Sequence, residues 1–441
     1  MLRSRLRPVH RRLLGAALLA AGAAPWAAAA DVPADARVPV EPVDAQPIRI
    51  TVEDLPKPYA SESVSKNPKV VVPPDDFHLH VPEGFQANLF AEGVEKARWL
   101  ALTPEGDVLV SCGRTNKIHL LRDTNDDGVS DERHLFLDES NGANLPFGMD
   151  FSQVDDQWYF YLGNTNAVLR YAYEQGQTKL TAPPVPITEL PGQGYNQHWT
   201  RNVRVAPDGK HLFVTVGSES NADQEAPPRA AVLRMNLDGT HRSVYASGLR
   251  NPVGLDFHPE TGEVYVNVNE RDKIGDELVP DYLTLVKEGA FYGWPYAYLT
   301  PKHIDPRHVV GGENGDGKSV RPDLVAKTVT PDVLYRSHSA ALGLAFCDSD
   351  QWPERYRGGA FSALRGSWNR EEGTGYKIVF VPFENGRPTG VYEDFATGFL
   401  LDPSVPLTCG RPVDVQFAPD GALLFTEEGN GRIYRITPPT E

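Results

Sequence analysis

The sequence predicts an all-β protein, a six-bladed β-propeller with long inter-strand loops. Three observations predict it. One hairpin pattern recurs six times beyond about residue 82. Convincing 3.6-residue periodicity is nearly absent outside the first thirty residues, so helices have no apolar face to bury. The composition, 40% hydrophobic and 23% charged over 441 residues, is that of a globular chain long enough for one large core or two smaller ones.

Residues 1–30 stand apart. Arg3, Arg5, Arg7, Arg11 and Arg12 form a basic head, and no acid occurs before Asp31. The apolar, small-residue run LLGAALLAAGAAPWAAAA then ends in Ala28-Ala29-Ala30, the pattern of a secretory signal with an A-x-A cleavage site. Arg11-Arg12 ahead of Leu13-Leu14 also fits a twin-arginine export signal, and no cysteine lies near the cut to carry a lipid. A permanent membrane anchor is the other reading, disfavoured by the Ala/Gly-rich core broken by Pro25. No other run is apolar enough to span a membrane, so a periplasmic or secreted protein is expected. Residues 31–80 are rich in proline and acids and read as an extended lead-in along the body, leaving 81–441 as the folded domain.

The six hairpins come in order: WLALTPEGDVLVS (99–111), PFGMDFSQVDDQWYFYLGN (146–164), NVRVAPDGKHLFVTVGS (202–218), PVGLDFHPETGEVYVNVNE (252–270), ALGLAFCDSDQWPERYRGGAFSAL (341–364) and PVDVQFAPDGALLFTEEGNGRIYRI (412–436). Each sets a polar Gly/Asp/Pro turn between alternating strands. A blade needs about 40–50 residues. The surplus falls at 271–340 and 365–411, which become long loops, the parts of a rigid scaffold where sites are usually built. A pair of β-sandwiches is the alternative architecture.

Charge narrows the function. Removing residues 1–30 deletes five arginines and no acids, which takes the formal charge from −16 to −21. Such a chain has no electrostatic reason to bind nucleic acid or anionic membranes, and arginines gathered in one cleft would need a specific reason. Cys112, Cys347 and Cys409 form no C-x-x-C metal pair and no C-x-x-C-H haem site; in an oxidising compartment two could pair and leave one over.

Several stretches could carry chemistry. In DTNDDGVSDER, Asp123, Asn125 and Asp127 alternate before Gly128, with Asp131 where a further oxygen is wanted. Hard donors at this spacing suit calcium, although position twelve is His134 and no helices flank the loop; an Asx-rich turn is the equal alternative. LRNPVGLDF puts Arg250 and Asn251 directly before a strand, and NERDKIGDE crowds carboxylates around Gly275. FYGWPYAY offers either an aromatic wall for a planar or sugar ligand or plain loop packing. SALRGSWNR and CGRPVDV supply Arg365, Arg370 and Arg411. In GYNQHWTRN, His198 taken alone reads as packing or a surface hydrogen bond. No G-x-S-x-G, Walker A, G-x-G-x-x-G or H-E-x-x-H is present, so serine-hydrolase, nucleotide-binding and zincin readings gain no support.

Taken in order, GLRNPVGLDFHP, NERDKIGDEL with PDYLT and YGWPY, GSWNR with GYK, and GRPVDV resemble the soluble quinoprotein glucose/sorbosone dehydrogenase family, nearest its L-sorbosone dehydrogenase-like branch. The resemblance runs from about residue 55 to the C-terminus. It implies a six-bladed propeller holding pyrroloquinoline quinone (PQQ) and Ca²⁺. It implies oxidation of an aldose or a sorbosone-like aldehyde, with electrons passed to an external quinone or cytochrome. By the same resemblance His198 is the general base, and Arg250 with Asn251 sits beside the quinone. Arg411 matches a carboxylate-binding arginine, Arg365 faces the cofactor where the glucose dehydrogenases carry a lysine, Asn144 stands nearest to a family glutamine, and the calcium carbonyls fall near Asp272 and Lys273. The chain departs from the family at Gln197, where the best-studied branch has an acid, and at Asp272-Lys273, where that branch has Gly-Pro. Two other readings remain open: a calcium-dependent propeller lactonase, which needs acids converging on a metal, and a non-catalytic propeller that binds glycans or proteins.

Overall fold

The computed structural model describes residues 32–192, 198–312 and 317–439. Each hairpin read from the sequence forms the first two strands of one antiparallel sheet. The first strands are Trp99–Leu102, Met149–Val154, Val203–Val205, Asn251–Phe257, Ala341–Phe346 and Pro412–Phe417. The first five sheets have four strands in up-and-down order. The last takes Pro412–Phe417, Leu423–Glu427 and Arg432–Thr437 from the C-terminal end, then adds Gln86–Ala91 and Arg37–Val38 from the N-terminal end. The single α-helix among the described residues is Pro322–Val325. None there is long and apolar enough to cross a membrane.

The first strands pack against one another in chain order, and Pro412–Phe417 returns to Trp99–Leu102, so the sheets are arranged as in a propeller. An aspartate repeated in the hairpins joins neighbours. Asp150 Oδ2 accepts from Val205 N at 2.7 Å, Asp256 Oδ2 from Phe346 N at 3.0 Å, and Asp414 Oδ2 from Leu100 N at 2.8 Å. Each bond supplies an acceptor to a backbone N–H of the next sheet. Arg204 lies between two of these acids and donates to Asp256 at 2.6 Å. Gly343 is required beside the third, since a Cβ there would fall 2.5 Å from Asp414 Oδ1.

Between the sheets, alternating strand residues interdigitate. Trp352 is fully buried among Phe85, Tyr356, Phe361, Phe395 and Phe417, and its indole N–H donates to Gly421 O at 2.6 Å. Cys112, Cys347 and Cys409 are buried and free; Cys112 lies in a different apolar cluster from the other two. The lead-in runs along the body as short strands: Val40–Pro42 pairs with Leu79–Val81, and Lys69–Val70 pairs with Leu407–Thr408, both parallel.

Candidate functional site

Residues within three positions of the starts of four first strands gather around one cavity of about 220 Å³. Arg98 stands before Trp99–Leu102, Thr200 before Val203–Val205, Arg250 before Asn251–Phe257 and Ala340 before Ala341–Phe346, and all four line it.

His198 is buried and lines the same cavity. Arg201 fixes its loop by donating to the carbonyls of His198 (2.8 Å), Thr200 (2.7 Å) and Pro191 (2.9 Å). The imidazole Nδ1 lies 2.9 Å from Ser218 O. A carbonyl can only accept, so Nδ1 carries the proton and Nε2 keeps its lone pair. Nε2 has no hydrogen-bond partner among the described residues. Burial, then the charge of Arg250, pushes this imidazole down to about 3, so it is neutral at ordinary pH. Gln197 lies outside the described residues, as do residues 1–31.

Arg250 is fully engaged. Nη2 donates to Asp272 Oδ2 (3.0 Å) and Asn221 Oδ1 (3.0 Å), Nη1 to Glu270 O (2.6 Å), and Nε to Asn221 O (3.1 Å). It is thus a fixed positive charge, not a free carboxylate clamp. Asn251 donates through Nδ2 to Asn269 Oδ1 at 3.3 Å, while its buried Oδ1 has no partner.

The Asp272 side chain itself enters the cavity. Oδ1 accepts from Asn369 Nδ2 at 2.8 Å and lies 3.5 Å from His338 Nδ1. Burial alone would raise Asp272, but Arg250 and His338 hold it well below the usual carboxylate range. Glu270 is pushed up by burial to about 8 and Asp281 to about 6. Glu270 Oε1 is buried without a partner, as is Thr200 Oγ1. The Lys273 side chain is exposed and does not line the cavity.

The other arginines divide. Arg365 lines the cavity and shares Glu428 with Arg98. Burial alone would raise Glu428, yet Arg98, Arg365 and Arg411 hold it near 2. Trp199 sits between two guanidiniums, Arg98 at 5.4 Å and Arg114 at 5.1 Å from its ring centre. Arg411 lies behind the cavity, donating to Gly366 O at 3.0 Å and Arg365 O at 3.4 Å. Arg370 pairs with Glu277 outside the lining. Asn144 lines a different cavity with Asn164, Asn166 and Arg229, and its amide donates to Asn166 Oδ1 at 3.0 Å.

The loop of Asp123, Asn125, Asp127 and Asp131 lies elsewhere. Asp123 accepts from Gly128 N at 2.7 Å, Asp127 from Val129 N at 2.9 Å and Asp131 from Thr124 N at 2.8 Å, while Asn125 Oδ1 accepts from Asp127 N at 3.1 Å. This is the Asx-turn arrangement. Among the described residues no group of three or more His, Cys, Asp or Glu side chains is placed to hold a metal ion, here or in the cavity.

Sequence reasoning missed Arg98, Arg114, Asp281, His338, Trp368 and Asn369, all of which line the cavity. The entrance rule that singled out Arg250 would have found Arg98, since it too directly precedes a first strand.

An arginine-lined cleft with a neutral imidazole and unpaired oxygen acceptors suits an anionic, hydroxyl-bearing or cation-bridged ligand. Residues 79–439 match the model of one protein family, described as TrAA12-like. The chain belongs to the TrAA12-like family. Among relatives of this TrAA12-like chain, an uncharacterized protein of Borreliella burgdorferi is 27% identical over 369 residues, 81% of this chain and 90% of the relative. A pyrroloquinoline quinone-dependent pyranose dehydrogenase of Coprinopsis cinerea is 23% identical over 419 residues, and the match spans 82% of this chain and only 55% of that one. A calcium structure of the Trichoderma reesei family AA12 carbohydrate-active enzyme superposes with TM-score 0.68 at 19% identity, covering 84% of this chain and 98% of that chain.

Proposed function

We propose that this chain is an exported, PQQ-dependent oxidoreductase that oxidises a sugar, an aldose or pyranose or a sorbosone-like aldehyde, on a six-bladed propeller with Ca²⁺ as cofactor. The observation that carries the reading is His198. Its Nδ1–H is held by Ser218 O and its Nε2 is left open in a cavity beside the fixed charge of Arg250. The names of the Coprinopsis and Trichoderma relatives supply the chemical class.

The residues present fit both groups. Arg98, Arg114 and Arg365 can meet the carboxylates of PQQ, with Arg411 supporting Arg365 from behind, and Trp199 and Trp368 offer walls to a planar ring. Among the described residues lining the cavity, Glu270 Oε1, Asn251 Oδ1 and Thr200 Oγ1 are buried, unpartnered side-chain oxygens open to a cation. By the family resemblance, backbone carbonyls near Asp272 and Lys273 would be its further donors. When bound, PQQ accepts two electrons and Ca²⁺ polarises it as a Lewis acid.

His198 takes the proton of the sugar hydroxyl at Nε2 as that carbon is oxidised. Ser218 fixes the tautomer this needs. Arg250 holds positive charge where negative charge develops, and its four hydrogen bonds to Asn221, Glu270 and Asp272 keep it from reorganising. The electrons then pass to an external quinone or cytochrome. Residues 1–30 direct export. The lactonase reading needs a carboxylate-held metal, and the described residues hold no such group.

The test uses chelator-stripped protein with PQQ and Ca²⁺ added separately and together, following dye reduction across aldoses, pyranoses and sorbosone. Activity that needs both additions and is lost in His198→Ala supports the reading. No turnover, with no PQQ absorbance retained after desalting, overturns it.

A further inference from the structure

The lead-in is anchored twice, and what lies between the anchors runs against two loops that carry lining residues of the cavity. Ile48, Ile50, Val52 and Leu55 pack on apolar clusters of the body, and Phe77, Leu79, Val81 and Phe85 enter the cluster around Trp352. Residues 57–71 between them contribute no side chain to any apolar cluster among the described residues. Ser61, Glu62, Ser63 and Ser65 are exposed. Apolar burial therefore does not hold this stretch down.

Hydrogen bonds do: Lys69 and Val71 donate to Pro406 O and Thr408 O, and those from Tyr59 to Lys66 fall on the two loops that build one side of the cavity. On the loop carrying Asp272, Tyr59 N donates to Ile274 O at 2.6 Å, Ser63 Oγ accepts from Gly275 N at 3.1 Å, and Ser61 Oγ accepts from Asp276 N at 2.9 Å. On the loop carrying Asn369, Lys66 N donates to Trp368 O at 2.8 Å, and Lys66 Nζ donates to Glu371 O at 2.9 Å and Glu371 Oε1 at 2.5 Å. The loops also bond to each other, through Asn369 and Asp272 inside the cavity and through Glu371 N to Asp276 Oδ1, 2.7 Å, outside it. The strap thus closes a triangle of segments whose inner corner is the Asp272 carboxylate.

We propose that residues 57–71 are a working part of the site. Ser61, Ser63 and Lys66 are positioning residues that hold the backbone after Asp272, and Trp368 with Asn369, at the separation the cation and cofactor require. Three bonds to consecutive residues 274–276 fix the direction of the peptide groups just beyond Asp272 and Lys273. Backbone donors to a cation depend on such fixing, because a rotated peptide removes the ligand entirely. The inference rests on the proposed function, since Ca²⁺ and PQQ are its ligands.

The experiment compares the full chain with two triple variants, Ser61→Ala/Ser63→Ala/Lys66→Ala and the conservative Ser61→Thr/Ser63→Thr/Lys66→Arg. Ca²⁺ is titrated into chelator-treated protein with PQQ present, reading PQQ retained after desalting. Melting temperature without either ligand is measured in parallel. The alanine variant is expected to need about tenfold more Ca²⁺ for half-maximal PQQ uptake. Its ligand-free melting temperature should stay within about 2 °C, as for exposed positions elsewhere. Amide exchange should quicken at 272–277 and 366–371, and the conservative variant should restore the Ca²⁺ requirement. An unchanged Ca²⁺ requirement overturns the strap's role while leaving the proposed function standing. A large ligand-free melting loss with no rescue by the conservative variant also overturns it, because the residues are then merely structural. If the unsubstituted chain takes up no PQQ at any Ca²⁺ concentration, the proposed function itself fails and the inference goes with it.

Discussion

Arg250 Nη2 and Asp272 Oδ2 lie 3.0 Å apart in the wall of the cavity, with the arginine side chain 2% and the aspartate side chain 13% exposed. A pair this dry is not a surface salt bridge. Each charge depends on the other for having left water, and each has a second set of partners: Asn221 and the Glu270 carbonyl for Arg250, Asn369 and His338 for Asp272. One interaction therefore ties the strand that begins at Asn251 to the long loop after Asn269.

Breaking that pair from one side should be costly. Asp272→Ala leaves a buried guanidinium unpaired and is expected to lose about 3–5 kcal/mol of stability, measured by urea unfolding at pH 7. Asp272→Asn keeps the shape and can still accept from Asn369, so it should fall between the two. A loss below about 0.5 kcal/mol for the alanine variant would mean that the pair is solvated in solution.

The His198 imidazole should stay neutral far into acid. Burial and Arg250 push it down to about 3, against about 6.5 in an unfolded chain. Between those values the unfolded state binds a proton that the folded state does not, so stability contributed here is complete above pH 6.5 and is lost as pH falls toward 3. Imidazole resonances of the cofactor-free protein should show no midpoint for His198 between pH 5 and 8, and His198→Ala should flatten the acid side of the stability curve. A midpoint near 6.5 would place the ring in water.

How much of this was legible in the sequence differs by element. The six hairpins were, because a polar turn between alternating strands is a local signal, and their repeated aspartates proved to join sheet to sheet. His198, Arg250 and Arg365, singled out in the sequence, the first by resemblance alone, line one cavity. Arg411 and Asn144 do not line it, because sequence position gives the strand entrance but not which way a side chain turns: Arg411 turns back onto Gly366 O, and Asn144 faces Asn166. For Asp272 only the backbone was expected to matter, yet its carboxylate reaches the centre of the site. His338, just after the last strand of the same sheet, and Asn369, in a loop of the next sheet, meet that carboxylate, a contact across 66 and 97 residues that no local pattern encodes.

Gly217 sets the spacing between the imidazole and the amide. A Cβ there would lie 2.3 Å from Asn251 Oδ1 and 2.7 Å from His198 Cβ, too close for either to stay. Gly217→Ala should cost about 1–3 kcal/mol of stability through overpacking. Its larger effect should be on turnover, a fall in kcat of about a hundredfold for a displacement near 1 Å, with substrate KM changing much less. Steady-state dye reduction at saturating PQQ and Ca²⁺ separates the two effects, and a kcat within twofold of the unsubstituted protein would show that the pair's spacing is not what turnover depends on.

Glu428 serves two guanidiniums at once. Arg98 and Arg365 both pair with it, and the Arg98 side chain is 9% exposed against 28% for Arg365. Burial by itself would raise this carboxyl, but its arginine neighbours hold it near 2, below the usual glutamate value near 4.3. The unfolded chain therefore binds the proton first on acidification, and the contribution of Glu428 is complete above about pH 4.3 and is lost as pH falls toward 2. Glu428→Gln should destabilise the protein by about 3–5 kcal/mol at pH 7, and the difference from the unsubstituted chain should shrink steadily as denaturant melts are repeated from pH 5 downward. Released from their shared partner, Arg98 and Arg365 should also bind a carboxylate-bearing ligand more tightly at low salt. A difference in stability that stays constant from pH 7 to pH 3 would mean that size and hydrogen bonding, not charge, are what Glu428 contributes.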